Sequence, residues 1–114
     1  RVVRRTRVFL CTIASSYKIQ QMHESFKPDF VGRLFLAVCD EAAATAETYV
    51  PQILKLPVEN LLLLGDHKQL PPMVIASNPR AVEDNRVSRS LMERTLDANY
   101  PFHLLRMQYR MFPS

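Results

Sequence analysis

Four consecutive leucines at 61–64 run straight into Gly65-Asp66-His67-Lys68-Gln69-Leu70-Pro71-Pro72. An unbroken apolar run closed by glycine reads as a strand buried on both faces. Helices cover such strands on either side of a parallel sheet. In an open parallel sheet, ligands gather beyond the carboxyl ends of the strands. The run therefore carries a polar loop, stiffened at its exit by two prolines, to the edge where chemistry takes place. The competing reading is a buried strand followed by an ordinary turn.

The rest of the chain supplies partners for that strand. Residues 8–13 (VFLCTI) read as a first strand ending in small polar residues, Thr12 among them. Ile19, Met22 and Phe26 recur at helical spacing and predict a short amphipathic helix over 16–26, broken at Lys27-Pro28-Asp29. Residues 34–39 (LFLAVC) form a second buried strand that passes directly into Asp40-Glu41. Residues 42–54 are alanine-rich and predict a helix through Glu47, ended or kinked at Pro51. Pro57 and Asn60 punctuate the approach to the leucine strand, and after Pro72 the chain is polar and irregular to about Asn85. Ser90 and Glu93 have capping-box spacing, which opens a helix to about Ala98 that Asn99-Tyr100-Pro101 closes. A fourth strand over 102–107 leads into Gln108-Tyr109-Arg110-Met111-Phe112-Pro113. Strands alternating with helices predict an α/β fold built on a parallel sheet.

Composition narrows the function classes. No apolar run approaches the ~18 residues of a membrane span, so no membrane partner is expected. The chain opens Arg1-Val2-Val3-Arg4-Arg5, without a starting methionine or a signal-peptide pattern, and reads as cut from inside a longer protein. A net charge of +4 and a pI near 9.4 lean toward an anionic partner such as nucleic acid. Arg1, Arg4, Arg5 and Arg7 contribute to that charge and read equally well as a solvated strand edge. Cys11 and Cys39 each close an apolar run and read as small buried hydrophobes in a reducing compartment. His23, His67 and His103 show no zinc spacing with them. A Walker A loop needs two glycines, then Lys and Ser or Thr. Neither Gly32, followed by Arg33, nor Gly65, followed by Asp66, opens one.

Polar residues collect where each strand ends: Thr12; Asp40 and Glu41; Gly65, Asp66 and Gln69; Gln108, Tyr109 and Arg110. Parallel strands would set these groups along one edge. An acidic pair after a hydrophobic strand is the Walker B arrangement of P-loop NTPases. One carboxylate holds Mg²⁺, usually through water, and its neighbour polarises an attacking water. An acidic helix N-terminus is the competing reading of Asp40-Glu41. Gln69 can orient water or bond a γ-phosphate; otherwise it is a loop glutamine in solvent. Arg110 can stabilise phosphoryl-transfer charge, or be a surface arginine. Tyr109 can stack on a base or simply be exposed or packed, while Met107 and Met111 read as packing.

Three of these segments together resemble a known family. Asp40-Glu41-Ala42-Ala43 is similar to motif II of superfamily 1 helicases, "DEAxQ". Residues 65–72 resemble motif III, "GDxxQLPP", and residues 105–113 resemble motif IV, "LxxQYRMHP". Cys11-Thr12 falls where these proteins carry a nucleic-acid-contacting segment. Order and spacing resemble the 1B branch, which holds the nonsense-mediated-decay helicase, the senataxin type and the immunoglobulin mu-binding type. Two positions depart: Ala44 stands at the motif II glutamine, and Phe112 at the motif IV histidine.

The resemblance implies a partial RecA-like P-loop NTPase domain that lacks its Walker A part. Residues 1–107 would be the later part of the first motor domain and 108–114 the hinge into the second. It implies an enzyme that hydrolyses ATP with Mg²⁺ to move 5′→3′ on, and unwind, RNA or DNA. Asp40 would bind Mg²⁺, Glu41 would be the catalytic base and Gln69 would sense the γ-phosphate. Gly65 and Asp66 would belong to the nucleotide site. Tyr109 would stack near adenine, and Arg110 would approach the γ-phosphate. Thr12, Pro71 and Pro72 would lie along the nucleic acid. Partners would be single-stranded RNA or DNA, ATP, an upstream Walker A segment and a second RecA-like domain, in the cytoplasm or nucleus. The alternative is a degenerate, non-hydrolysing relative that binds nucleic acid or protein.

Overall fold

A computed structural model of the chain describes residues 6–25, 34–75, 80, 87–107 and 109–111. Its frame is a pair of parallel strands, β1 (Leu34–Cys39) and β2 (Val58–Leu63). Their register runs from Leu34 opposite Val58 to Cys39 opposite Leu63. Parallel neighbours cannot be joined by a tight hairpin, so residues 40–57 cross over between them. The pleat puts Ala37, Cys39, Leu61 and Leu63 on one face, toward the core. Leu36, Val38 and Leu62 face the other way and are exposed. The leucine strand thus begins earlier than expected and is covered on one face rather than both among the described residues. Asn60, expected to punctuate the approach to the strand, lies inside β2 and donates through Nδ2 to the Phe35 carbonyl at 3.0 Å.

The crossover is not the continuous helix that its alanines predict. It holds a 3-10 turn at Ala42–Ala44, a second at Glu47–Tyr49, and only then a short helix, Val50–Leu54. Between the turns, Thr45 and Ala46 are extended. Ala46 forms an antiparallel bridge with Ser90, and the Glu47 N–H donates to the Arg89 carbonyl at 3.0 Å. Tertiary pairing outweighs the tenths of a kcal/mol per residue by which alanine favours helix. Pro51 opens the short helix instead of ending it. In the first turn its missing N–H would have had no partner anyway.

Two helices flank this frame. The first, α1 (Tyr17–Ser25), matches the expected amphipathic helix and buries Ile19; Phe26 and the expected break lie outside the described residues. The second, α3 (Leu91–Asp97), follows the crossover helix, α2 (Val50–Leu54), in chain order. Its cap is the one that its sequence encodes: Ser90 Oγ accepts from the Glu93 N–H at 3.0 Å. At its other end Asn99 is left-handed, with φ 57°. The Asn99 N–H donates to the Leu96 carbonyl and the Tyr100 N–H to the Thr95 carbonyl. That is a Schellman close, with asparagine in the place that glycine usually takes.

The core is small: Cys39, Ala42, Val50, Ile53 and Leu91, with Ile13, Leu61, Leu63 and Met92 packed against it. Two expected strands are not strands. Residues 6–12 are irregular and end in a 3-10 turn, Ile13–Ser15, with Leu10 94 % exposed. Residues 102–107 are irregular too, and Leu105 is 83 % exposed. A strand requires a ladder partner, and among the described residues β1 and β2 pair only with each other. Both cysteines are free; Cys39 is buried as expected, but Cys11 is exposed, in a segment that pairs with no strand among the described residues.

Candidate active site

The two strand ends are laced together beyond the sheet. The Leu64 N–H donates to the Cys39 carbonyl at 2.9 Å, and the Ala42 N–H donates to the Leu64 carbonyl at 2.8 Å. Gly65 permits the next step. A Cβ there would lie 3.0 Å from the Ala43 nitrogen, 3.2 Å from the Ala42 nitrogen and 3.3 Å from Met92 Sδ. Any side chain would have to push backbone aside, so glycine is what lets the 65–71 loop rest on the 42–44 turn. Beneath them the Cys39 thiol is pushed up by burial, partly offset by a hydrogen bond with Thr45, and the Asp40 charge also raises it. It is a packing group, not a nucleophile.

Glu41 has a left-handed backbone, φ 52° and ψ 37°. For a residue with a Cβ this costs about 1–3 kcal/mol and persists only where surroundings impose it. Here Asp40 Oδ1 accepts the Glu41 N–H at 3.0 Å, and Ala42 is fixed to Leu64. The helix N-terminus reading of this acidic pair loses its basis, because the pair leads into a three-residue turn with no side-chain cap. Glu41 instead lines a cavity of about 490 Å³ shared with the second loop. Asp66, Lys68 and Gln69 complete its polar wall, and Ala43, Ala44, Leu70 and Pro71 its apolar one.

Asp66 organises that second loop. Its Oδ1 accepts the Lys68 N–H at 2.9 Å, and its Oδ2 accepts Gln69 Nε2 at 3.2 Å. Its carbonyl accepts the Gln69 N–H at 3.1 Å. The Lys68 backbone hydrogen bond, then the Gln69 side-chain one, hold the carboxyl below the usual carboxylate range, with smaller help from the charges of His67 and Lys68. At the exit Pro72 is buried and braces the loop, so Pro71 is the proline with surface to offer a ligand.

The other expected site residues stand apart from this cavity. Thr12 stands at the start of the Ile13–Ser15 turn without capping it through its side chain: its Oγ1 donates to Ser15 Oγ at 3.1 Å and its carbonyl accepts the Ser15 N–H at 2.9 Å. Tyr109 is 88 % exposed and its hydroxyl donates to Met107 Sδ at 2.9 Å. Arg110 is exposed, and Gln108 and residues 112–114 lie outside the described residues. Of four strand-end groups, the structure brings together the two whose strands pair. It also adds Lys68 and Ala44 to the wall. Lys68 could have been expected, since it lies between Asp66 and Gln69; nothing in the sequence points to a role for Ala44 beyond its departure from motif II.

Among the described residues, no three His, Cys, Asp or Glu side chains cluster as a protein cage for a metal. Asp40 and Glu41 are adjacent carboxylates, and of the two Glu41 lines the cavity while Asp40 is not among its lining residues. Mg²⁺ is commonly held by one or two carboxylates, with water and phosphate oxygens filling the rest of its octahedron. Behind the site, Arg94 pairs with Glu47, and Arg89 pairs with Asp97 at 2.8 Å. These pairs fasten α3 to the crossover and to the segment before it. No helix among the described residues is long and apolar enough to cross a membrane.

Parallel strands with an acidic turn and a glutamine loop at their carboxyl ends make part of a RecA-like, P-loop NTPase-type α/β domain. The AAA domain family model matches residues 1–77. The probable helicase MAGATAMA 3 of Arabidopsis thaliana is 38 % identical over 81 residues, covering 69 % of this chain and 9 % of its own length. NFX1-type zinc finger-containing protein 1 of Homo sapiens is 31 % identical over 104 residues, covering 90 % of this chain and 5 % of that protein. Regulator of nonsense transcripts 1 of Dictyostelium discoideum is 33 % identical over 75 residues, covering 66 % of this chain and 5 % of that protein. The chain spans less than a tenth of the length of these relatives. No solved structure matches. The chain belongs to the AAA domain family, among the superfamily 1 helicases of the nonsense-mediated-decay and senataxin-like type.

Proposed function

We propose that this chain carries part of the ATP-hydrolysing site of a helicase motor that moves on, and unwinds, RNA or DNA. The observation that carries the reading is the shared cavity: Glu41 and Gln69, from the ends of two paired parallel strands, line one space. Glu41 acts as the base, taking a proton from water as the water oxygen attacks the terminal phosphorus and the bond to the bridging oxygen breaks. Gln69 bonds the water or the γ-phosphate. Asp40 is the residue to hold Mg²⁺, which when bound supplies positive charge to the phosphate oxygens. Gly65 and Asp66 shape the nucleotide site, Tyr109 stacks near adenine, and Arg110 reaches the γ-phosphate when two motor domains close. Thr12 and Pro71 follow the nucleic-acid strand, and the buried Pro72 braces the loop that presents Pro71.

In this reading residues 1–107 belong to the first motor domain and 108–114 to its hinge. The cradle for the phosphates comes from an upstream Walker A segment and the closing surface from a second RecA-like domain. Such a motor works in the cytoplasm or nucleus. The relatives with helicase in their names support the class.

The second reading is a relative that binds nucleic acid or protein without hydrolysing ATP. One observation favours it: Ala44 gives the cavity a methyl where motif II carries an amide. Glu41→Gln in the intact protein separates the two. The amide keeps the shape and loses the base, so nucleotide binding should persist while turnover falls ~10²–10⁴-fold. Steady-state ATPase with saturating single-stranded RNA or DNA measures this. Wild-type turnover in the variant would remove Glu41 from the chemistry.

A further inference from the structure

The glutamine of the cavity is held by a neighbour three residues away. An ionised carboxylate only accepts hydrogen bonds. Asp66 Oδ2 lies 3.2 Å from Gln69 Nε2, so the amide must turn its NH₂ end toward Asp66 and its carbonyl oxygen away. Two further contacts fix the carboxylate and the turn, Lys68 N–H to Oδ1 at 2.9 Å and Gln69 N–H to the Asp66 carbonyl at 3.1 Å. Both Asp66 and Gln69 line the cavity that Glu41 enters.

We infer that Asp66 is a positioning residue rather than a ligand contact: it sets which end of the Gln69 amide meets the reacting groups. The carbonyl oxygen is then the end that accepts an O–H of the attacking water, whose other proton goes to Glu41. This deepens the proposed role of Gln69 and rests on it. It also divides the work of that side chain. The carbonyl oxygen is the acceptor that orients a water, while Asp66 takes one of the two amide N–H donors and leaves the second to meet a γ-phosphate oxygen. The lowered carboxyl keeps Asp66 ionised, and so an acceptor only, at neutral pH.

Asp66→Asn in the intact protein isolates this action. The asparagine oxygen can still take the Lys68 N–H, so the turn persists. Its NH₂ then faces the NH₂ of Gln69, and the glutamine must flip. Misorientation at a reacting centre costs on the order of a hundredfold in rate. Turnover number should therefore fall at least ~10-fold, while the KM for ATP stays close to wild type. Asp66→Ala removes both contacts and should speed hydrogen exchange of the Lys68 amide, without ATP present; Asp66→Asn should not. Loss of turnover with Lys68 still protected supports the positioning role. An unchanged turnover number in Asp66→Asn overturns it, and so does a rise in KM alone, which would make Asp66 a ligand contact. Equal Lys68 exchange in Asp66→Ala and wild type overturns it from the loop itself, whether or not the protein hydrolyses ATP. Absence of turnover in the wild type is a different failure: it refutes the hydrolase reading, and the Lys68 exchange still decides whether Asp66 holds the loop.

Discussion

The strand-end loops at 40–44 and 65–71 and the stretch at 100–111 all adjoin apolar runs, and all are expected from sequence to reach one edge. The loops do. Each is tied to the other by main-chain hydrogen bonds and by the bare Cα of Gly65, and each is held within itself by a carboxylate. The 100–111 stretch has the side chains of a site, including Tyr109 and Arg110, yet these are exposed and its apolar residues pack little. Polar residues after an apolar run become a site only where the run finds a ladder partner. The loops owe their geometry to the pairing of β1 with β2, which nothing replaces at 100–111 among the described residues.

Arg110 gives the largest expected effect and the hardest test of this contrast. If its place is made by domain closure and not by local packing, Arg110→Lys should leave fold and nucleic-acid affinity intact. Turnover should fall steeply, because lysine cannot reproduce the guanidinium fork; an arginine finger contributes ~10³–10⁵ in rate. Steady-state ATPase beside a thermal melt of the intact protein decides. A lower melting temperature with turnover per folded molecule unchanged would make Arg110 a structural residue, and the contrast between the two regions would collapse.

Gly65 tests the other side. Gly65→Ala sets a Cβ 3.0 Å from the Ala43 nitrogen, and backbone must give way. Overpacking of this kind costs about 1–3 kcal/mol. The loop should also lift from the 42–44 turn, carrying Gln69 away from Glu41, so nucleotide binding should weaken together with stability. A melt and a nucleotide titration read both. If stability drops and binding is unaffected, the cavity does not depend on the laced strand ends.

How far the sequence carries varies with the range of the interaction. Leu34–Cys39 and α3 are legible residue by residue, because an apolar run, a Ser-x-x-Glu cap and an Asn-Tyr-Pro close are local signals. The acidic pair and the glutamine loop are legible as strand-end features. The crossover misleads because helix propensity is local, whereas the Ala46–Ser90 bridge joins residues distant in sequence. Residues 8–13 and 102–107 have strand composition, but composition cannot show whether a neighbouring strand exists. Lys68 escapes notice as a wall residue because a cavity wall is a property of two loops meeting, not of either motif, whereas the motif II resemblance already sets Ala44 at the nucleotide site. The αL backbone of Glu41 has no sequence signal at all: glutamate is an unfavourable residue there, and the contacts around it impose the conformation.

The smallest expected effect concerns Ser90, which links the contrast to α3. Its hydroxyl caps the helix, and its backbone bridges Ala46 in the crossover. Ser90 is only 2 % exposed, so water cannot easily replace the lost acceptor. The helix it starts presents Leu91 to the core and Met92 to the place where Gly65 passes. Ser90→Ala should therefore cost about 0.5–2 kcal/mol, the usual range for losing a serine cap. That loss should be felt locally, as faster hydrogen exchange of the first amides of α3, Glu93 above all. It should spread to the 65–71 loop through Met92 but not to 102–107, whose side chains are exposed and which lie beyond the Schellman close of α3. Exchange measured peptide by peptide in the intact protein makes the comparison directly. Equal acceleration in both regions would mean that they form one cooperative unit, and that the ordered loops and the exposed stretch are not energetically distinct.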